Sequence, residues 1–452
     1  MTKMRDDTIY ALSSGLLPSG VAIIRISGPR CRFVLETISN IDPIPRQATY
    51  SAFYDPSDGS LLDEGLVLWF PGPASFTGED VVELHCHGGR AVVDGILHCL
   101  NKLDGLRMAE RGEFTKQAFQ NNKMDFVGVE GLADLIASET QIQRQLAQLQ
   151  TRGDVSLIYD GWRKRLIKAR ALIEAELDFP DESDVPGSVS DRVWGEVFSL
   201  ADEMKNAVGQ VKIAERIRDG ISVVLAGAPN AGKSSLLNAL AGRDVAIVSS
   251  TAGTTRDVIE VHLDLNGVPV KLCDTAGLRD SHDEVEAIGV SRASERIREA
   301  DIVLLLEDIS HEEPEDSGKE DNFKASLSEG AVEIKLGTKS DLISPGDSIR
   351  SRYNLLVSTK TNDGIDVLID HLANNAKELI SDVESLVALR SRHREAIMSA
   401  LVYIEASLKD NKVVELRAED LRLASDVIGR VAGRIDVEDM LDVVFREFCI
   451  GK

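Results

Sequence analysis

Nowhere in the 452 residues is there an apolar run of 18, so no segment reads as a membrane-spanning helix. The first ten residues, Met1 to Tyr10, are charged and lack the apolar core of a secretion signal. The five cysteines (Cys31, Cys86, Cys99, Cys273 and Cys449) are scattered, with no paired zinc spacing. That argues against a disulfide framework and fits a reducing cytoplasm. Basic charge is short: 51 Lys and Arg stand against 75 Asp and Glu, a formal net charge of -24. Such a chain repels nucleic acid unless basic residues gather locally. Any RNA partner must therefore use a patch, a second protein, or both. No internal repeat is visible.

What is present is enough for two or three domains, in a normal globular mix of 43% apolar and 28% charged residues. Residues 1 to about 120 read as mixed strands and turns. Gly20–Ser27 and Leu66–Phe70 are strand-like, Gly28-Pro29 and Pro71-Gly72-Pro73 are breaks, and Arg90–Leu103 is helical. From Val127 to Leu177 and from Val193 to Arg218 the pattern is helical, broken at Asp181–Asp184 and Pro186. Residues 219 to about 377 alternate strands and helices, which predicts a parallel sheet with crossover helices. Glu378 to Phe448 is helical again, as if the α/β block were inserted into a helical domain. The acidic stretch Asp308–Asp321 reads as a surface loop.

The apolar run Ile221–Ala226 leads into Gly227-Ala228-Pro229-Asn230-Ala231-Gly232-Lys233-Ser234, and then into helical Ser235–Ala241. This is a phosphate loop in the strand–loop–helix setting that it requires. Its glycines let backbone N–H groups close on phosphate, and the helix N-terminus adds positive partial charge. Lys233 is expected on the outer phosphates and Ser234 on Mg²⁺. The strand Val268–Cys273 is followed by Asp274-Thr275-Ala276-Gly277, about 40 residues beyond the loop. This resembles the DxxG switch of translation-factor-like GTPases, with Asp274 serving Mg²⁺ and the Gly277 N–H the γ-phosphate. The strand Val332–Gly337 is followed by Thr338-Lys339-Ser340-Asp341, where GTPases typically carry NKxD. Asp341 would accept from guanine N1–H and N2–H₂, which adenine lacks, and Lys339 would lie along the ring. Thr338 stands where Asn is expected. It keeps a hydroxyl and loses an amide, a weakening of roughly 0.5–1.5 kcal/mol for one neutral hydrogen bond. Ser358-Thr359-Lys360 resembles the loop that closes over the base.

Leu278 follows DxxG, where Ras-like proteins place the Gln that orients water. Hydrolysis is therefore slow or uses a substitute. Asn230 with the loop Ser249–Asp257 resembles GTPases in which potassium replaces an arginine finger. Thr255 would then serve Mg²⁺, and Asn230, Ser249, Thr251 and Thr254 the monovalent cation. Asn230 also reads as a plain turn residue. The other substitute is a carboxylate after DTAG, Glu286, within the charged run Asp283–Glu286 that also reads as a solvated helix face.

These motifs, in this order, resemble the MnmE (TrmE) family of tRNA-modifying GTPases over nearly the whole chain. The resemblance rests further on Gly20–Pro29, Phe70–Asp80, His87-Gly88-Gly89, Gly112-Glu113-Phe114, Asp178–Glu182 and the terminal Phe448-Cys449-Ile450-Gly451-Lys452. It implies a multidomain fold with an α+β N-terminal folate-binding domain, an all-α helical domain and an inserted α/β P-loop GTPase domain. The expected boundaries are 1–122 for folate binding and dimerisation, 123–217 and 378–452 for the two helical segments, and 218–377 for the G domain. It implies a cytoplasmic homodimer working with an FAD-bearing MnmG (GidA) partner, in a heterotetramer. Together they would add an aminomethyl or carboxymethylaminomethyl group to the wobble uridine of certain tRNAs. GTP, Mg²⁺, K⁺ and a tetrahydrofolate one-carbon derivative are the implied cofactors, with potassium driving G-domain dimerisation. By resemblance Glu286 is the catalytic carboxylate, and Arg25, Glu83, Lys123 and Lys452 bind folate, acids and bases suited to pterin donors and to carboxylates.

Cys449 reads either as a structural cysteine or as a functional thiol, which the resemblance favours; Gly451 and Lys452 suit prenylation poorly. His85-Cys86-His87 alternates faces on a strand and so makes a poor metal site. Two basic clusters, Arg163-Lys164-Arg165 with Lys168 and Arg170, and Arg390, Arg392, His393 and Arg394, would form an RNA patch if the helical segments pack together. Solvated helix faces are the alternative. A ribosome-assembly or signalling GTPase that only switches, or a nucleotide-dependent scaffold, is the competing function.

Overall fold

The structure is a computed structural model. It describes residues 7–178, 189–243, 245–247, 260–274, 295–310, 330–343, 347–380, 383, 386–387, 389–431, 433, 445, 448 and 451. The chain divides into two compact units. One gathers Met1–Ala133, Gln150–Ile167 and Ser425–Lys452, and the other Asp134–Leu149 and Lys168–Ala424.

The first unit is built on a six-stranded sheet of β1 (Thr8–Leu12), β2 (Ser19–Ser27), β3 (Thr49–Tyr54), β4 (Leu61–Phe70), β5 (Val81–Gly88) and β6 (Leu106–Met108). Their order is β3-β4-β5-β2-β1-β6. Every pairing is antiparallel except β1 with β6. Period-two alternation fixes the faces. Ala22, Ile24 and Ile26 are fully buried and pack with Val93, Ile96 and Leu100 of the helix Arg90–Lys102. Residues of the opposite parity, Ile9 and Ala11 of β1, meet Phe114 of the helix Glu113–Gln120. Arg25 and Glu83 also lie on that second face, opposite each other in the β2–β5 register. The end of the chain returns to this unit. Phe445 and Phe448 pack with Phe126 and Val129, and the Ser13 hydroxyl donates to the Gly451 carbonyl at 2.7 Å. Gly451 has φ +100°, and a Cβ there would lie 2.1 Å from the Leu12 carbonyl oxygen, so only glycine fits.

The second unit holds a seven-stranded sheet with order β13-β12-β11-β7-β10-β9-β8. The strands are β7 (Ile221–Gly227), β8 (Ala246–Ile247), β9 (Glu260–Leu265), β10 (Val268–Asp274), β11 (Ile302–Asp308), β12 (Val332–Thr338) and β13 (Leu355–Val357). Five of them run parallel, and β9 and β8 add an antiparallel edge. The central strands read as continuous apolar runs because both faces are covered. Leu225 and Leu304 are wholly buried. The helices Val189–Gly209, Val211–Asp219, Ser391–Ser407 and Val414–Val431 carry the chain into and out of this block. The mixed α+β, all-α and P-loop α/β architecture read from the sequence is the architecture observed.

Two features fasten the α/β block to its helical surroundings. Arg216 donates to Asp301 Oδ1 at 2.8 Å and to the Leu379 carbonyl at 3.3 Å, while Asp301 Oδ2 accepts from the Ser222 N–H at 3.1 Å. The N-terminus of the helix Gln141–Thr151 sits on the β9–β10 turn. There the Ile142 N–H donates to the Gly267 carbonyl, and Gln143 Nε2 donates to the Arg218 carbonyl.

Candidate functional site

The nucleotide motifs converge at the C-terminal ends of β7, β10, β11, β12 and β13, where ligands bind in open α/β sheets. Gly227 ends β7 with φ +146°, and a Cβ there would stand 2.3 Å from the Leu306 carbonyl oxygen on β11. Glycine is obligatory at this point. Asn230 adopts a left-handed turn conformation, φ +67°, which Asn tolerates better than most residues. The helix Lys233–Ala241 then starts at Gly232, exposing Ser234 and Ser235 on its first turn beside buried Ala231. The Lys233 ammonium folds back over the loop and donates to the carbonyls of Gly227 (3.0 Å) and Ala228 (2.8 Å).

Asp274, buried at the end of β10, accepts from the Ser234 hydroxyl at 2.9 Å. A hydroxyl and a carboxylate in contact beside a phosphate loop are a hard, oxygen-only pair that fits Mg²⁺. Thr338 is 4% exposed, and its hydroxyl faces the Ala231 carbonyl at 2.8 Å and the Glu307 carbonyl at 3.0 Å. It has one proton, which the two oxygens share. The side chain standing in for Asn therefore ties the base loop to the phosphate loop. Asp341 accepts from the Ser358 hydroxyl at 2.8 Å, and Lys360 Nζ lies 3.9 Å from its other oxygen. Ser358 in turn accepts from the Thr361 N–H, so Ser358, Thr359 and Lys360 are brought against Asp341. Lys339 has φ +60° and pairs with Asp308.

The structure corrects the reading of Asp308–Asp321 as a surface loop at its first residue. Asp308 ends β11 opposite Thr338, and its carboxylate pairs with Lys339 at the rim of the base loop. Several sequence-derived assignments lie outside the described residues: Ser249, Thr251, Thr254, Thr255, Thr275, Ala276, Gly277 and Glu286 in the G domain, and Cys449 and Lys452 at the chain end.

In the first unit, Arg25 Nε and Nη2 both donate to Glu83 Oε1, at 3.0 and 2.9 Å. The guanidinium also lies over the rings of Phe76 (5.5 Å) and Phe114 (5.8 Å). The pair lines a cleft of about 260 Å³ with Arg46, Phe70, Ser75 and Phe76. Drug-sized ligands occupy about 300–1,000 Å³, so the cleft suits one flat ring system better than a whole extended ligand. Arg46 escaped the sequence reading because it belongs to no motif. Lys123 is not in the cleft wall; its ammonium donates to the Pro73 carbonyl at 2.8 Å and pins the loop that forms one side.

Part of the basic clusters is committed within the protein, while Lys164, Lys168 and Arg394 are exposed. Arg390 pairs with Asp134 at 2.7 Å, His393 is fully buried and accepts from the Leu389 N–H, and Arg170 pairs with Glu174. This corrects the reading of Arg390 and His393 as part of an RNA patch: burial beside a carboxylate and within a helix start is structural. Cys86 points into the core, its thiol against the Ala22 carbonyl, while His87 on the other face is exposed and bonds Asp63. No group of three His, Cys, Asp or Glu side chains is placed to hold one metal ion among the described residues, nor is any described helix long and apolar enough to cross a membrane.

Comparison with known proteins gives the same outline. Residues 8–123 match the family described as the GTP-binding protein TrmE N-terminus, and residues 126–449 match the MnmE helical domain. The tRNA modification GTPase MnmE of Brucella anthropi is 52% identical over 448 residues, covering 99% of this chain and 98% of that protein. The protein of the same name from Brucella canis is 51% identical over 450 residues, with the same coverage. Among solved structures, Era bound to MgGDPNP and a 16S ribosomal RNA fragment is 28% identical over 34% of this chain and 56% of its own, with a TM-score of 0.28. On the family matches and these relatives, the chain belongs to the MnmE (TrmE) family and is a GTP hydrolase.

Proposed function

We propose that this GTPase powers modification of C5 of the wobble uridine in certain tRNAs, adding an aminomethyl or carboxymethylaminomethyl group together with an FAD-dependent partner of the MnmG (GidA) type. The observation that carries the reading is the presence, in one chain, of a phosphate loop with Asp274 and a base-binding loop at the same sheet end, and of a separate acid–base cleft. A GTPase that only switches has no use for the second. The Arg25–Glu83 pair supports a folate-type ligand: Glu83 Oε2 can accept from a pterin donor edge while Arg25 holds Oε1 and stacks on Phe76. Gly451 is docked at Ser13, two residues along the chain from Ala11, the β1 position opposite Arg25; the family resemblance gives Lys452 and Cys449 roles in the same chemistry.

In the nucleotide site, Asp341 selects guanine, Lys233 turns from its own loop carbonyls to the outer phosphates, and Ser234 and Asp274 would hold Mg²⁺. Bound Mg²⁺ would supply charge neutralisation on the phosphates. Asn230, with Ser249, Thr251 and Thr254, would bind the potassium ion that stimulates hydrolysis as G domains of a homodimer meet. Thr255 would complete the Mg²⁺ site, and Glu286 would orient the attacking water, since Leu278 cannot. The cleft and the nucleotide site work in a cytoplasmic assembly of two copies of this chain with the partner flavoprotein.

The test is mass spectrometry of nucleosides from bulk tRNA, in cells with and without the gene. Loss of five-substituted wobble uridines, restored by the wild type but not by Lys233→Ala or Cys449→Ser, is expected. An unchanged nucleoside profile would sink the tRNA role and turn the reading to an assembly switch. Turnover compared in potassium and sodium at matched ionic strength tests the cation assignment separately; equal rates would remove it.

A further inference from the structure

We infer that Asp308, at the end of β11, is a positioning residue for guanine-nucleotide binding that acts through Lys339. β11 contributes none of the recognised nucleotide motifs. Yet its last residues hold the base loop from three directions. The backbone of Ile309 donates to the Thr338 carbonyl at 3.2 Å, the Glu307 carbonyl shares the Thr338 hydroxyl, and Asp308 Oδ2 takes the Lys339 ammonium at 2.5 Å.

Asp308 is itself locked. Its Oδ1 accepts from the Ser310 N–H at 3.0 Å and the Ser310 hydroxyl at 2.6 Å, so the carboxylate cannot rotate away from Lys339. Burial works against its charged form, but Lys339 and Ser310 outweigh that and hold its pKa at about 2. It is therefore a permanent anion under working conditions. The two side chains are 36% and 22% exposed, so the pair sits at the rim of the site and not in the core.

The consequence concerns the Lys339 stem. Its backbone is in the left-handed region, φ +60°, and its ammonium reaches Asp308 at the end of β11. A lysine without a partner samples many rotamers, and freezing them on ligand binding costs most of its conformational freedom. With the ammonium pinned on Asp308 the stem is already laid out as a wall for the base. Preorganisation of this kind raises affinity without adding a contact to the ligand. The wall is indifferent to the phosphate chain, so it serves GTP and GDP equally. Ser358 and Lys360 engage Asp341 from the other side of the loop, which leaves Asp308 as the anchor on the β11 side.

The test uses full-length protein and four variants: Asp308→Asn, Asp308→Glu, Lys339→Ala and the Asp308→Asn/Lys339→Ala double. Dissociation constants for fluorescent GTP and GDP analogues are read beside KM and kcat for GTP. Asp308→Asn is expected to raise both dissociation constants and KM by about fivefold to tenfold, the order expected from restoring one lysine's rotamer freedom. The expected kcat at saturation stays within about twofold, because no group on the phosphates has moved. In the Lys339→Ala background Asp308→Asn is expected to add nothing. Asp308→Glu recovers part of the affinity. Three results would each overturn the inference: unchanged dissociation constants in folded Asp308→Asn, an effect that persists in the Lys339→Ala background, or a fall in kcat matching the rise in KM together with a lowered melting temperature. The double-mutant comparison stands even if one single variant is less stable, since it reads only the difference between the two backgrounds.

Discussion

Replacing Thr338 by Val tests whether this residue serves the base or the loops. Val keeps the shape and exchanges the hydroxyl for a methyl. The variant loses one hydrogen bond shared between the Ala231 and Glu307 carbonyls, at 2.8 and 3.0 Å, inside a site where Thr338 is 4% exposed. A neutral hydrogen bond contributes about 0.5–1.5 kcal/mol, and a buried carbonyl left without a donor costs about 1–3 kcal/mol. Part of that cost is carried by the free and bound protein alike and cancels from the affinity. What remains is the loosened alignment of phosphate loop and base loop, about 1 kcal/mol, or about a fivefold weaker dissociation constant. Because the tie touches no ligand atom, GTP, GDP and inosine triphosphate should weaken by the same factor. Inosine lacks the N2 amine that Asp341 accepts from, so the ratio of GTP to inosine triphosphate affinity reports base contacts alone. Titration of the variant with all three nucleotides decides the matter. A changed ratio would show that Thr338 touches the base, and unchanged affinities would show that the tie carries no weight. Either result refutes the reasoning.

Three further outcomes follow from other parts of the molecule. Asp301→Asn removes the charge from a pair only 13% and 10% exposed and leaves the Arg216 guanidinium facing a neutral amide; urea denaturation should show a loss of about 3 kcal/mol, the low end for a broken buried pair. Combining it with Arg216→Met should cost less than the two single changes summed, and strict additivity would show that the residues do not act as a pair. Asp308 has a folded pKa of about 2, below the unfolded value of about 3.9, so its contribution is complete above about pH 4 and is lost as pH falls toward 2. Acid denaturation of Asp308→Asn should lack that increment, and wild-type-like loss in the variant would contradict it. Among the described cysteines, Cys31, Cys86, Cys99 and Cys273 are all buried, and burial raises every one of their thiol pKa values, Cys86 to about 11 and Cys99 to about 12. Native alkylation near pH 8 should therefore leave these four unlabelled, and an adduct on any of them would show that its surroundings open.

The parts of this site that could be read from sequence are those whose chemistry is local. A phosphate loop needs its glycines, lysine and serine within eight consecutive residues, and the flanking apolar runs give strand and helix; Ile221–Gly227 and Lys233–Ala241 fall within two residues of where the pattern puts them. β1 was invisible for the opposite reason. It lies between β2 and β6 with Ile9, Tyr10 and Ala11 all buried, so neither face is marked by polar alternation. The Arg25–Glu83 bond joins residues 58 apart through strand register, which no spacing in the chain announces; the family resemblance named the two as folate-binding residues but not as a pair. Thr338 shows how a local rule can mislead about mechanism. Motif logic compares it with Asn and counts a missing contact to guanine, whereas the fold turns its hydroxyl inward to the phosphate loop. Asp308 completes the point. In the sequence it opens an acidic stretch and has the composition of a solvated loop, yet ending a parallel strand beside β12 places its carboxylate next to Lys339. A charge becomes part of a binding site when a sheet's register puts an opposite charge within reach, and register is decided by apolar side chains elsewhere in the strand.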